Sequence, residues 1–328
     1  MGSKQSILTE IWDTLKDLPF NTALDAFSGS GCVGYMFKSQ GKTVIANDFL
    51  KYAYQLANAL VANNCDTLSD EDVAQLIATN PERGDFVQTT YKDLYFSDPD
   101  NLFLDNTLAN LPKLASPYKR SLALAALSRA CIKRRPRGVF TYVGDRYDDG
   151  RRDLKLTLQE QFVEAVNLLN AAVFDNGQPN IALNQDVFTL DVTPDLAYFD
   201  PPYYTQRSDN DYLRRYHFVE GLCCNWQGVE ILHDTKTKKL RKYPTPFDSR
   251  IQVREAFRRL FEKFSKSIIV VSYSSNGLPD RDDLYQMLQA IKGKVEVREI
   301  DYRYSFGTHS HKIGNQNNLV QEYLFIAY

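Results

Sequence analysis

Thr22-Ala23-Leu24-Asp25-Ala26-Phe27, continuing as Ser28-Gly29-Ser30-Gly31-Cys32-Val33-Gly34, decides the fold, because a short apolar strand here opens through a glycine turn into the start of a helix. Glycines at such a turn let the backbone approach a ligand closely, and the free amides of the helix start favour polar groups on it. Working outward, residues 6–17 predict a helix before the strand, residues 42–46 a second strand, and residues 52–62, apolar at helical spacing, the helix that follows. Residues 180–183, 196–199 and 267–273 read as further buried strands, with helices at 154–173 and 252–265. Strands alternating with helices imply an α/β protein with a doubly wound, mostly parallel sheet covered on both faces. Residues 295–304 and 322–328 have only a loop between them and predict an antiparallel hairpin at the sheet edge.

A second stretch carries chemistry. The apolar run Leu196-Ala197-Tyr198-Phe199 ends in Asp200-Pro201-Pro202-Tyr203, which presents a carboxylate and an aromatic ring at a strand's carboxyl end. Two prolines fix φ and remove two N–H donors, so they stop the strand and stiffen the corner that holds Asp200 and Tyr203. In an open parallel sheet, ligands bind at the carboxyl ends of strands near the point where strand order reverses, so the glycine turn and this corner are expected to share a cleft. Gly29, Gly31 and Gly34 also fit the dinucleotide spacing G-x-G-x-x-G, and Asp48 stands where that fold places an acid for ribose hydroxyls. The glycine motif alone therefore leaves a nicotinamide cofactor and S-adenosylmethionine both open.

Composition narrows the class. At 328 residues, 43% hydrophobic and 24% charged, the chain is long enough for one large domain with insertions or for two domains. It has no apolar stretch of bilayer-spanning length, so no membrane partner is expected. Five cysteines without a Cys-x-x-Cys pair suggest neither a disulfide framework nor a cysteine zinc site, and they fit a reducing cytoplasm. His309-x-His311 lacks the partners of a metal site, and no metal is expected. A net charge of −2 excludes a uniformly basic coat, so a polyanionic partner must meet local patches.

Residues 65–151 and 205–250 break the alternating rhythm and read as insertions, leaving 1–64, 152–204 and 251–328 as the catalytic domain. The first insertion carries Lys133, Arg134, Arg135, Arg137, Arg146, Arg151 and Arg152 among Phe140, Tyr142 and Tyr147. The second carries Arg214, Arg215, Lys236, Lys238, Lys239, Arg241 and Lys242. Basic residues interleaved with rings fit contact with the phosphates of double-stranded DNA. Of these, Arg134, Arg135, Arg137, Arg151, Arg214, Arg215, Lys238 and Lys239 are the candidate DNA-binding residues.

Taken with these motifs, the chain resembles the amino-group DNA methyltransferases, specifically the D12-class adenine-N6 family to which the bacterial Dam methylases belong. Gly2-Ser3-Lys4 resembles that family's N-terminal cofactor motif, Asp25 to Gly31 its glycine motif, Asn47-Asp48 its ribose-binding acid, and Asn184-Gln185-Asp186 the acidic motif beside the cofactor's adenine. Asp200-Pro201-Pro202-Tyr203 resembles its catalytic tetrapeptide, and Glu322-Tyr323-Leu324-Phe325-Ile326 its closing strand. The resemblance implies a seven-stranded methyltransferase sheet with an antiparallel edge strand. It also implies S-adenosylmethionine held by Lys4, Asp25, Phe27, Gly29, Gly31, Asp48, Asp186 and Asp200, and methylation of an adenine flipped out of duplex DNA. In that reading Asp200 and the Pro201 carbonyl accept the amino hydrogens, Pro202 stiffens the corner, and Tyr203 stacks on the base. A cognate restriction endonuclease is the implied protein partner. Methylation of cytosine N4 or of RNA, or a nicotinamide-dependent oxidoreductase, is the alternative; Ser is usual for cytosine and Asn common for RNA where this chain has Asp200.

Overall fold

The structure, a computed structural model, describes residues 4–141, 150–204, 212–303 and 319–328. Arg146, Tyr142, Tyr147, Gly2, Ser3, His309 and His311 lie outside the described residues, as does the side chain of Arg137.

Seven strands form one sheet: β1 (Thr22–Asp25), β2 (Thr43–Asn47), β3 (Ile181–Leu183), β4 (Leu196–Phe199), β5 (Ile268–Ser274), β6 (Val295–Arg303) and β7 (Leu319–Ala327). Their order is β3-β2-β1-β4-β5-β7-β6. The first five pair in parallel, and β7 runs antiparallel between β5 and β6, so the β6–β7 hairpin makes one edge of the sheet. Strand order reverses between β1 and β4, where Asp25 stands opposite Tyr198. That register puts the glycine turn after β1 and the proline corner after β4 side by side at the carboxyl ends.

The strands are short and apolar because they are covered on both faces. All four residues of β4 and six of the seven in β5 are buried. Helix Val253–Lys263 buries Val253, Ala256, Phe257, Leu260 and Phe261, the i, i+3, i+4, i+7, i+8 stripe of a core-facing helix. These pack with Phe199, Phe264, Tyr273 and Phe325 in one core cluster. The helix expected over 52–62 is α-helical over Lys51–Ala57 and continues as a π-helical turn over Asn58–Ala62.

The chain divides into two compact units, Met1–Ala57 with Asn176–Asp211 and Tyr243–Tyr328, and Asn58–Asp175 with Tyr212–Lys242. The sheet is the first. The second is helical and draws on parts of both insertions; helix Leu158–Asn170, assigned by the sequence reading to the catalytic domain, packs there along helix Pro117–Arg134. Within it, helix Asp98–Asn110 buries a polar face whose carboxylates cap other helices: Asp105 accepts from the amides of Val87 and Gln88, and Asp100 from that of Leu158.

Candidate active site

The glycine turn is fixed from beneath. Gly29 and Gly31 have φ of +50° and +74°, conformations that L side chains rarely adopt, and Gly31 is the N-cap of helix Cys32–Ser39. The Asp25 carboxylate, 1% exposed, accepts the Gly34 amide at 2.9 Å and so ties the strand end to the helix's first turn. Asp48, just past β2, accepts the amides of Gly29 and Leu50, each at 2.8 Å. Asn47 donates to the carbonyls of Ala26 and Gln185, and Asn184 to those of Asp48 and Phe49, which stitches the loops after β1, β2 and β3 together. Asp186 is exposed and accepts the Phe188 amide at 3.0 Å. Phe27 meets Phe247 edge-on at 5.3 Å, and Phe247 in turn stacks on Phe188.

The proline corner holds a buried polar cluster. Lys4, 5% exposed, lies 3.1 Å from Asp200 Oδ1 and 2.8 Å from Glu322 Oε1, and it also donates to the Tyr203 hydroxyl. That hydroxyl is 2.8 Å from Asp200 Oδ1 and 3.0 Å from Glu322 Oε1. Ser272 Oγ donates to the same Glu322 oxygen at 2.7 Å. Asp200 remains 19% exposed, whereas Glu322 is 1% exposed. The expectation that Tyr203 stacks on a target base needs correction for this conformation. Its ring is 8% exposed and packs edge-on against Tyr273 at 4.7 Å, because its hydroxyl is drawn inward by two carboxylates and an ammonium.

Lys4, Asp25, Phe27, Gly29 and Asp200 line one cleft with Ser28, Ser30, Cys32, Val33 and Tyr198, so the glycine turn and the acid corner open onto the same space. Asp48 and Asp186 hold the adjoining loops and are not among these lining residues. Burial pushes the Asp25 carboxyl up to about 7, against the Gly34 hydrogen bond, with Asp200 and Asp48 adding repulsion. Burial raises Asp48 to about 6 against its backbone hydrogen bonds. Burial likewise raises Asp200 to about 6, with Lys4 pulling it down and Glu322 pushing it up. Asp25 and Asp200, the two carboxylates that line the cleft, repel each other and so suit a cationic ligand. The cleft also contains buried hydroxyls: among the described residues that of Ser28 has no hydrogen-bond partner, and that of Tyr198 lies beside Ser272. A sulfonium nucleoside fits this donor set, since it combines positive charge with hydroxyl and amino groups.

The candidate DNA-binding residues sort unevenly. Arg135 must be withdrawn: it is 7% exposed, donates to the carbonyls of Tyr95 and Thr141, and lies 4.9 Å over the Tyr95 ring, so it braces the helical unit instead of meeting a phosphate. Arg134 donates to the Leu154 carbonyl and lies 3.8 Å from Asp100, and Arg151 donates to the Arg135 carbonyl. Arg214 and Arg215 are exposed on helix Tyr212–Cys223. Lys238 and Lys239 are partly exposed on a turn closed by the Ile231–Leu240 bridge, with Lys238 donating to the His233 carbonyl.

Sequence reasoning named Lys4, Asp200 and Tyr203 but missed what binds them together. Glu322 appeared only as the first residue of a closing strand; a lone acid before the apolar run Tyr323 to Ile326 was the available signal. Ser28, Ser272 and Tyr198 offered none, because serines in turns and tyrosines in strands are common in any fold.

Comparison with known proteins bears on this site. The profile of the D12 class N6 adenine-specific DNA methyltransferases matches residues 1–276. The chain is 32% identical over 320 residues to the Type II methyltransferase M2.HphI of Haemophilus parahaemolyticus, covering 93% of this chain and 90% of that protein. It is 23% identical to the Type II methyltransferase M.CviAII of Paramecium bursaria Chlorella virus 1, over 100% of this chain and 97% of that one. The modification methylase LlaI of Lactococcus lactis subsp. lactis is also 23% identical, and there the chain spans 53% of the relative's length.

Proposed function

The chain belongs to the D12 class of N6 adenine-specific DNA methyltransferases, a family of site-specific DNA-modifying enzymes, and from that premise we propose that it methylates N6 of an adenine flipped out of duplex DNA, using S-adenosylmethionine. The observation that carries this reading is the shared cleft, in which the glycine turn and Asp200 face one space lined with carboxylates. Bound there, S-adenosylmethionine supplies a methyl group on a positively charged sulfur. Lys4, Asp25, Phe27, Gly29, Gly31 and Ser28 would hold it, with Asp48 and Asp186 on the loops that reach its nucleoside end.

Adenine's amino lone pair is delocalised into the ring, so N6 is a poor nucleophile until its hydrogens are held. Lys4 and Tyr203 both engage Oδ1 of Asp200, which fixes the carboxylate, and Oδ2 is the oxygen we assign to an amino hydrogen. The Pro201 carbonyl takes the other hydrogen, and Pro202 keeps the corner stiff. A hydrogen bond to a charged acceptor contributes about 1.5 to 3 kcal/mol, most usefully when positive charge develops on nitrogen. Flipping the base out of the stack costs a few kcal/mol, which contacts to the extruded ring offset. Arg214 and Arg215, which are exposed, and Lys238 and Lys239, which are partly exposed, are proposed to meet DNA phosphates, with Arg134 and Arg151 of the same unit. The names of the relatives support a role in modification that protects sites from a cognate endonuclease. Among the described residues, no helix is long and apolar enough to cross a membrane.

Incubation with S-adenosylmethionine and plasmid DNA from a methylation-deficient host, then nuclease digestion and nucleoside mass spectrometry, tests this reading. N6-methyldeoxyadenosine is expected. Only N4-methylcytosine, or no modified base, would overturn it.

A further inference from the structure

Glu322 is a nearly inaccessible carboxylate that the reaction as described does not use. Its Oε1 accepts from Lys4 at 2.8 Å and from Ser272 at 2.7 Å, and lies 3.0 Å from the Tyr203 hydroxyl, whose single proton it shares with Asp200 Oδ1 at 2.8 Å. Lys4 therefore divides one positive charge between two carboxylates, and the cluster of Lys4, Asp200, Glu322 and a neutral tyrosine has a net charge of about −1.

We propose that Glu322 is a positioning residue of the methyl transfer, which draws Lys4 away from full pairing with Asp200 and so keeps Asp200 a strong acceptor for the amino hydrogens. This rests on the reading of Asp200 as that acceptor. With Lys4 paired to Asp200 alone, the carboxylate's charge would be largely spent and it would attract the N6 hydrogens weakly. With Glu322 present, the negative charge left over faces the place where nitrogen becomes positive. Tyr203 transmits the geometry, since one hydroxyl touches both acids. Among the described residues, the other titratable groups that bear on Asp200 are Asp25 on the β1 end, Tyr198 on β4 and Tyr273 on β5. Asp25 and Asp200 repel each other, and both tyrosines resist ionisation through burial, so neither replaces Glu322 as the second anion on Lys4. Glu322 also raises the proton affinity of Asp200, in the direction the proposal needs.

Glu322→Gln keeps the size and an accepting oxygen but removes the charge. On unmethylated plasmid DNA with tritiated S-adenosylmethionine, its single-turnover rate is expected to fall about tenfold or more, while its affinities for S-adenosylhomocysteine and for the plasmid stay within a few fold. Losing a neighbouring anion lowers the pKa of Asp200, so the acid limb of the pH–rate profile moves to lower pH, by about one unit. Glu322→Asp restores part of the rate. A folded Glu322→Gln protein with wild-type rate and profile, or one whose affinities fall as far as its rate, would overturn the proposal. Should Glu322→Gln not fold, Lys4→Met decides: it leaves Asp200 facing Glu322 uncompensated and should move the acid limb up by about one unit or more. An unmoved limb would mean that cluster charge does not reach Asp200 and would defeat the proposal. Wild-type protein that makes no N6-methyladenine at all is a distinct result, which removes the functional reading itself.

Discussion

Each unit of the molecule buries a tyrosine hydroxyl in a polar network, and the two networks differ in what they leave unbalanced. In the sheet unit, the Tyr203 hydroxyl meets Asp200, Glu322 and Lys4, and one of those acids stays in contact with a cleft. In the helical unit, the Tyr95 hydroxyl lies 2.7 Å from the Thr237 carbonyl and 2.9 Å from His217 Nε2, with the Arg135 guanidinium over the ring. Burial depresses His217 to about 3, so that imidazole stays neutral, and among these described groups Arg135 carries the only charge. The first network holds excess negative charge beside a ligand space. The second sets its hydroxyl, imidazole Nε2 and guanidinium NH groups against backbone carbonyls and a ring face, and it ties the basic turn at Thr237 to residues 95, 140 and 217. Burial of a polar cluster alone does not mark chemistry; residual charge facing a cleft does.

The largest effect that could break this contrast is expected at Asp200. Asp200→Ala should lower single-turnover methylation by about a thousandfold or more, as loss of a main transition-state contact does, with cofactor and DNA affinities within a few fold. Wild-type turnover would make the two networks equivalent. Tyr95→Phe should do the opposite, destabilising the protein in urea by about 1 to 3 kcal/mol through the partners left unpaired, with the rate per folded molecule unchanged. A loss of rate without a loss of stability would give the second network a chemical role.

A smaller effect sharpens the charge argument. Asp25, Asp48 and Asp200 sit at about 7, 6 and 6, above the unfolded carboxylate range, so the native state keeps protons that the unfolded chain releases. The unfolded chain gives them up from about pH 4, so stability erodes as pH rises from about 4 to about 7; the native carboxyls themselves ionise between about pH 5 and 8, and a bound cation then favours their charged form. Titration calorimetry should find the preference for S-adenosylmethionine over the uncharged S-adenosylhomocysteine rising several-fold across that window. A flat ratio would mean that the cleft carboxylates do not sense the sulfonium charge. Smallest is the contribution of one surface cation: Lys239→Ala should weaken DNA binding uniformly and reduce the slope of log affinity against log salt by about 0.9. An unchanged slope would remove Lys239 from the interface.

Much of the sheet was legible because its signals are local. The apolar runs at 22–25 and 196–199 are too short for helices and end in glycine or proline, and each proved to be a strand. The π-helical turn at Asn58–Ala62 was not legible, since its apolar spacing over a few residues matches an α-helix. At the site, Asp25, Asp200 and the glycines announced themselves by adjacency to strand ends. Glu322 did not, because its meaning depends on β7 lying beside β5, which brings residues 4, 200, 272 and 322 together. Arg135 was misread for the same reason: a basic run suggests a surface, while the stacking partner that buries this arginine is Tyr95, 40 residues away.

The central claim is that the glycine turn and the acid-proline corner serve one ligand. Hydrogen–deuterium exchange with and without S-adenosylhomocysteine tests it most directly. The account predicts that peptides covering 25–34 and 196–203 gain protection together at the same ligand concentration, and that NAD protects neither. Protection of one peptide without the other would contradict it.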